Sequence, residues 1–97
     1  RMNRLESNVL FDIYGDLLTK RQKEICSLYF EEDFSYTEIS EALEISRAAV
    51  QDSLKKSMQQ LHKYEDIIQY VSKRKRIVSL LKDLDDDKIK EEILSIL

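Results

Sequence analysis

Residues 35–54 read SYTEISEALEISRAAVQDSL, and the placing of their apolar residues decides the fold. Ile39, Leu43, Ile45, Val50 and Leu54 follow at steps of four, two, five and four. Two short helices that meet at a steep corner need apolar contacts at those positions. Ser40 and Ala49 are small residues where the helices cross. Ser46, ahead of Arg47, Ala48 and Ala49, suits the N-cap of the second helix. Glu44 stands where glycine is usual in such a corner, and a left-handed non-glycine residue costs on the order of 1 kcal/mol. A helix-turn-helix of this kind leaves the leading end of its second helix jutting outward, where it can enter a nucleic-acid groove.

The flanking sequence extends the helical reading. Upstream, Thr19 and Gln22 have the spacing of a capping box, opening a helix with Ile25, Leu28 and Tyr29 on one face. Glu31, Glu32 and Asp33 oppose the dipole at its end and should stop it. A first helix is expected over about residues 3–14, with Leu10, Ile13, Tyr14 and Leu17 as its stripe and Gly15 in a left-handed closing position. Ser35 and Glu38 repeat the capping box, with Ile39, Ala42 and Leu43 as the buried side of a short helix. Downstream, Val50, Leu54, Met58 and Leu61 form a stripe that Tyr64, Ile68 and Val71 continue. Nothing between Ser46 and Lys82 is a strong breaker, so that stretch is either one helix or two with a bend near His62–Asp66. Asp85, Asp86 and Asp87 then open a last helix carrying Ile89, Ile93, Leu94 and Leu97.

Composition agrees. The 97 residues contain no proline and one glycine, so little interrupts long helices. The fold class is all-α: a helix-turn-helix bundle over residues 1–64 with a C-terminal helical extension, 65–97, in the same compact unit. Cys26 is alone, which fits a reducing, cytoplasmic setting, and no membrane span or signal segment is present. The chain opens on Arg1 rather than methionine, so a few residues are expected to precede it.

Charge is segregated. The net formal charge is -3, which argues against indiscriminate binding of polyanions. Residues 31–44 hold Glu31, Glu32, Asp33, Glu38, Glu41 and Glu44 with no base, whereas residues 46–63 hold Arg47, Lys55, Lys56 and Lys63 against Asp52 alone. An acidic protein can thereby carry a local positive face. The candidate nucleic-acid-binding residues are Ser46, Arg47, Ala48, Gln51, Lys55 and Lys56. Arg47 suits a base edge or phosphate and Gln51 an adenine; the plainer reading has Arg47 paired with Glu44 or Glu38 and Gln51 solvated. Lys73–Arg76 suits phosphates, a membrane surface or an acidic protein, with a solvated helix face as the plainer and favoured reading; Tyr14, Tyr29, Phe30, Phe34 and Tyr64 read as packing residues.

Leu17-Leu-Thr-Lys-Arg-Gln-Lys-Glu-Ile25, Leu28-Tyr-Phe30, Glu38-Ile-Ser40 and Ile45-Ser-Arg-Ala-Ala-Val50 together resemble region 4 of bacterial sigma factors. The chain resembles more closely the YlxM family of small helix-turn-helix proteins. Arg1-Met-Asn3, Leu10-Phe-Asp12, Gln22, Glu32-Asp-Phe-Ser35, Ala49, Asp52 and Tyr64-Glu65 add to that match. The resemblance implies a regulatory, DNA-binding protein linked, through neighbouring genes, to the signal recognition particle and membrane-protein targeting. It departs from the family at Ala48 and Gln51, where larger or aromatic residues are usual, and at Lys55-Lys56, where a Lys-Arg pair is usual.

No catalytic set, cofactor loop or metal cluster is visible, and His62 has no second histidine to share a metal with. The reading is therefore a non-enzymatic protein, and the resemblance implies DNA or the RNA of the signal recognition particle as its partner. The rival is a protein-interaction module that binds the particle's GTPase subunit without touching nucleic acid. The apolar surplus after Tyr64 (Ile67, Ile68, Val71, Ile77, Val78, Leu80, Leu81 and Leu84 among it) exceeds what a small bundle covers. Burial is worth about 25 cal/mol per Å², so a homodimer through these helices is expected.

Overall fold

The computed structural model describes residues 4–97. The helix start expected near residue 3, and the Arg1, Met2 and Asn3 of the family resemblance, lie outside the described residues. Among the described residues six α-helices form: α1 (Arg4–Tyr14), α2 (Lys20–Phe30), α3 (Tyr36–Leu43), α4 (Arg47–Ile68), α5 (Tyr70–Leu81) and α6 (Asp87–Ile96), with a 3-10 turn at Gly15–Leu17. The described residues contain no strand, so the all-α class holds.

Local sequence sets the helix starts. Thr19 Oγ1 accepts the Gln22 N–H at 3.2 Å while Gln22 Oε1 accepts the Thr19 N–H at 3.0 Å. Ser35 and Glu38 do the same at 3.1 and 2.8 Å. Each box satisfies two amides that a helix start otherwise leaves open. Asp86 caps α6 by accepting the Ile89 N–H at 3.1 Å. Among the described residues Asp33 after α2, Glu44 after α3 and Gln69 after α4 take left-handed backbone without being glycine. The break between α4 and α5 thus falls at Gln69, beyond the stretch where a bend was expected.

The chain packs as two units, one ending at Ile67 and the other running from Ile68 to Leu97. In the first, Leu10, Phe11, Tyr14, Leu18, Ile25, Cys26, Phe30, Ile39, Val50, Leu54 and Leu61 are buried. Phe11 and Phe30 meet with ring centres 5.6 Å apart. The Tyr14 hydroxyl donates to Glu65 at 2.6 Å and the Tyr64 hydroxyl to the Leu17 carbonyl at 3.3 Å, so the far half of α4 is tied to α1 and the turn after it. Burial pushes the Cys26 thiol up, against the pull of the Ser57 hydroxyl, leaving a packing residue rather than a nucleophile. In the second unit, the Tyr70 hydroxyl donates to the Leu97 carbonyl at 2.5 Å. Lys73–Arg76 are exposed along α5.

Three sequence expectations change. Ala42 is exposed, so the buried face of α3 narrows to Ile39 with Leu43 at its edge. Ile13 and Leu17 are exposed, and Phe11 takes the place assigned to them in the core. Gly15 does not have positive φ. Its requirement is steric, because a Cβ there would stand 2.9 Å from two ring carbons of Phe11.

Gly15→Ala should therefore destabilise the protein by about 1–3 kcal/mol, as overpacking in a filled core does. Chemical denaturation checks this, and an unchanged midpoint contradicts it. A second expectation concerns pH. The Ser35 backbone N–H, then its hydroxyl, hold the Glu38 carboxyl below the ordinary glutamate value. A depressed carboxyl pKa in the folded state contributes stability above the unfolded value and loses it as pH falls through the folded one. An NMR titration of the Glu38 side chain should show a midpoint below the ordinary value, and Ser35→Ala should return it upward.

Candidate nucleic-acid interface

The corner between α3 and α4 is closed by backbone geometry. Glu44 adopts φ 56° and ψ 44°, and its N–H bonds to the Ser40 carbonyl. The Ile45 N–H reaches the same carbonyl at 3.1 Å, the six-to-one bond that accompanies a left-handed residue at a helix end. Ser46 Oγ then accepts the Ala49 N–H at 3.0 Å, and the Ser46 carbonyl accepts the Val50 N–H at 3.1 Å. Helix α4 starts cleanly at Arg47.

Burial beneath the corner fixes what faces outward. Ile39 and Val50 have no exposed surface and Leu54 is 2 % exposed. Beside that buried stripe Arg47, Ala48, Gln51 and Lys55 are exposed, as are Ser46 and Lys56. Arg47, Gln51 and Lys55 follow at intervals of four and lie on one side of α4. Lys56 lies about 100° further round the helix. It pairs with Asp52 at 3.1 Å and borders a shallow hollow with Gln22, Gln60 and Lys63. Ala48 adds no polar group, and Ser46 spends its hydroxyl on the cap. Among the described residues Arg47 enters no ion pair, with neither Glu38 nor Glu44 holding it.

Two hollows flank this face. Arg47 borders the smaller with Arg4, Tyr29, Ser35, Tyr36 and Glu38. The Arg4 guanidinium stands 4.1 Å from the centre of the Tyr29 ring, donates to the Tyr29 carbonyl at 2.6 Å and pairs with Asp33 at 3.0 Å. Tyr29 in turn stacks on Tyr36 at 5.7 Å and 27°. Burial, then Tyr29, raises the Tyr36 hydroxyl above its ordinary value, with Arg4 and Arg47 opposing; Tyr36 thus keeps its proton at neutral pH. The larger hollow, about 650 Å³, runs along α4 and is bounded by Tyr36, Gln51, Lys55, Met58, His62 and Lys63 among others.

Sequence reasoning passed over Arg4, Tyr36, Gln59, His62 and Lys63 as site residues. Arg4 meets Tyr29 across 25 positions, which no local pattern encodes. Tyr36, by contrast, follows the capping Ser35 directly, and its place at the mouth of the corner was available to sequence reading. Among the described residues no group of His, Cys, Asp and Glu is arranged to hold a metal ion. No helix among them is long and apolar enough to cross a membrane.

Comparison with known proteins agrees with this geometry. Residues 2–96 match the family described as "Putative helix-turn-helix protein, YlxM / p13 like". The chain is 40 % identical over 93 residues to the UPF0122 protein YlxM of Bacillus subtilis (strain 168), covering 93 % of this chain and 84 % of that protein. It is 38 % identical over 97 residues to a UPF0122 protein of Halalkalibacterium halodurans, covering 96 % and 89 %. A UPF0122 protein of Bacillus thuringiensis (strain Al Hakam) is 40 % identical over 91 residues, covering 89 % and 83 %.

Proposed function

The chain belongs to the YlxM / p13-like helix-turn-helix family, and on that footing we propose that it is a nucleic-acid-binding regulatory protein of the signal recognition particle pathway. It acts in the cytoplasm by positioning and competition, without catalysis, and its ligand is DNA or the particle's RNA. The observation that carries this reading is the register of Arg47, Gln51 and Lys55. They stand exposed, in line, on the leading half of a helix that springs from a tight corner. A helix N-terminal half with a cation, an amide and a second cation in register has the groups that major-groove recognition uses. The pathway assignment rests on the family resemblance alone.

The exposed acids of α3 and the turns on either side of it (Glu31, Glu32, Glu38, Glu41 and Glu44) favour the rival, a module docking on the particle's GTPase subunit. Mobility shift against random duplex DNA and structured RNA separates the two. The nucleic-acid reading expects binding that weakens as salt rises, with a slope of about 0.9 per phosphate contacted on duplex DNA. Arg47→Ala with Lys55→Ala should flatten that slope by about one to two units. No shift with either nucleic acid at low salt favours the rival.

The second unit supports a homodimer. Leu80 is 66 % exposed, Ile89 44 %, Leu94 42 % and Ile96 79 %, and α6 has no buried residue. Apolar surface of this extent on a 30-residue pair of helices (residues 68–97) calls for a partner. Sedimentation equilibrium at tens of micromolar should return twice the chain mass, and a monomer there would remove the dimer from the account.

A further inference from the structure

Helix α4 has 22 residues, about 33 Å at 1.5 Å per residue. A recognition helix contacts bases with its first few turns, so the second half of α4 is longer than groove reading requires. That second half forms a wall of the larger hollow, which starts at Gln51 and ends at Asp66. Lys63 lies 16 positions beyond Arg47, about 24 Å along the axis. A single groove insertion does not reach it.

The chemistry of the hollow is specific. Its volume is about 650 Å³, within the range of small-molecule sites. Met58 supplies apolar surface above the buried Leu54, and Tyr36 supplies an aromatic ring already stacked on Tyr29. Gln51 and Gln59 are its amide side chains and His62 its imidazole. Each amide carries both donors and an acceptor, and the imidazole adds two ring nitrogens. Lys55 and Lys63 provide two cations, and Asp66 is the single carboxylate. A site for phosphate alone needs cations and amide N–H groups and has no use for an aromatic wall or glutamine acceptors. A site for a protein's apolar side chain does not need two lysines. An aromatic ring, mixed amide donors and acceptors, and a positive rim are what an unpaired base and its flanking phosphates require.

We propose that this hollow receives an unpaired nucleobase, stacked against Tyr36 and read by Gln51, Gln59 and His62, with Lys55 and Lys63 on the adjoining phosphates. The proposal rests on the nucleic-acid reading above and narrows it: the preferred ligand is a helix interrupted by a loop or bulge. Gln51 and Lys55 belong to both the outward face of α4 and the hollow, so a paired segment on the leading half of α4 delivers the adjacent unpaired base to the hollow.

The test uses the full chain and fluorescence anisotropy with four probes: a fully paired duplex and the same duplex with a three-nucleotide internal loop, each as DNA and as RNA. The looped probe should bind at least about fivefold more tightly in one or both sugars, and the sugar with the larger preference identifies the source. Tyr36→Ala should remove about tenfold from looped-probe affinity while changing paired-probe affinity less than twofold. Tyr36→Phe should retain the preference. Because Tyr36 packs on Tyr29, the exposed pair Gln59→Ala with Lys63→Ala provides an independent variant, and it should likewise abolish the preference. Equal binding of looped and paired probes in both sugars overturns the proposal, as does a preference that survives both the Tyr36→Ala and the double variant. Failure to bind any of the four probes rejects the nucleic-acid reading itself, and this proposal with it.

Discussion

The corner at residues 44–46 is the constraint on which the rest depends. Glu44 is held in a left-handed conformation at a cost of order 1 kcal/mol, and two amides converge on the Ser40 carbonyl to keep it there. Burial of Ile39, Val50 and Leu54 beneath it outweighs that strain, since each fully buried aliphatic side chain is worth about 1.5–3 kcal/mol. Arg47, Gln51 and Lys55 stand exposed along the edge of that buried stripe, so the surface they form borders the core that holds the corner together.

An acidic chain that presents a basic helix achieves selectivity by distribution. Cations gather on the α4 side of the corner, while Glu38, Glu41 and Glu44 occupy α3 and its end. The acids of α3 disfavour a polyanion on that side of the corner. Lys56 sits beside Asp52, and the exposed position of that pair gives it little bearing on stability. Arg4 brings α1 into the same neighbourhood, bracing Tyr29 from one side while Tyr36 packs on it from the other.

Much of this was legible in the sequence where the determinants are local. Both capping boxes, the Asp86 cap, the Ser46 cap and the strained Glu44 are short-range facts, and Ser35, Glu44 and Ser46 among them carry the helix-turn-helix. Features set by tertiary contact were not legible. Gly15 looks like a left-handed helix stop, yet the Phe11 ring is what demands a bare Cα. Ala42 fits a buried stripe by period but has no neighbour to cover it. Gln69 breaks the long helix without any glycine or proline to announce it. Of the candidate interface residues, the helical period placed Arg47, Gln51 and Lys55 together. The aromatic stack and the hollow needed the third dimension, because Tyr29, Tyr36 and His62 come from different helices.

The central claim is that the exterior of α4 beginning at Arg47 is where nucleic acid lands. An amide chemical-shift titration of the isotopically labelled protein with short duplex DNA and with hairpin RNA tests it most directly. The account predicts that the largest changes cluster at residues 46–55, with the far side of α2 and the last helix undisturbed. Changes centred on Lys73–Arg76, with residues 46–55 silent, would contradict it.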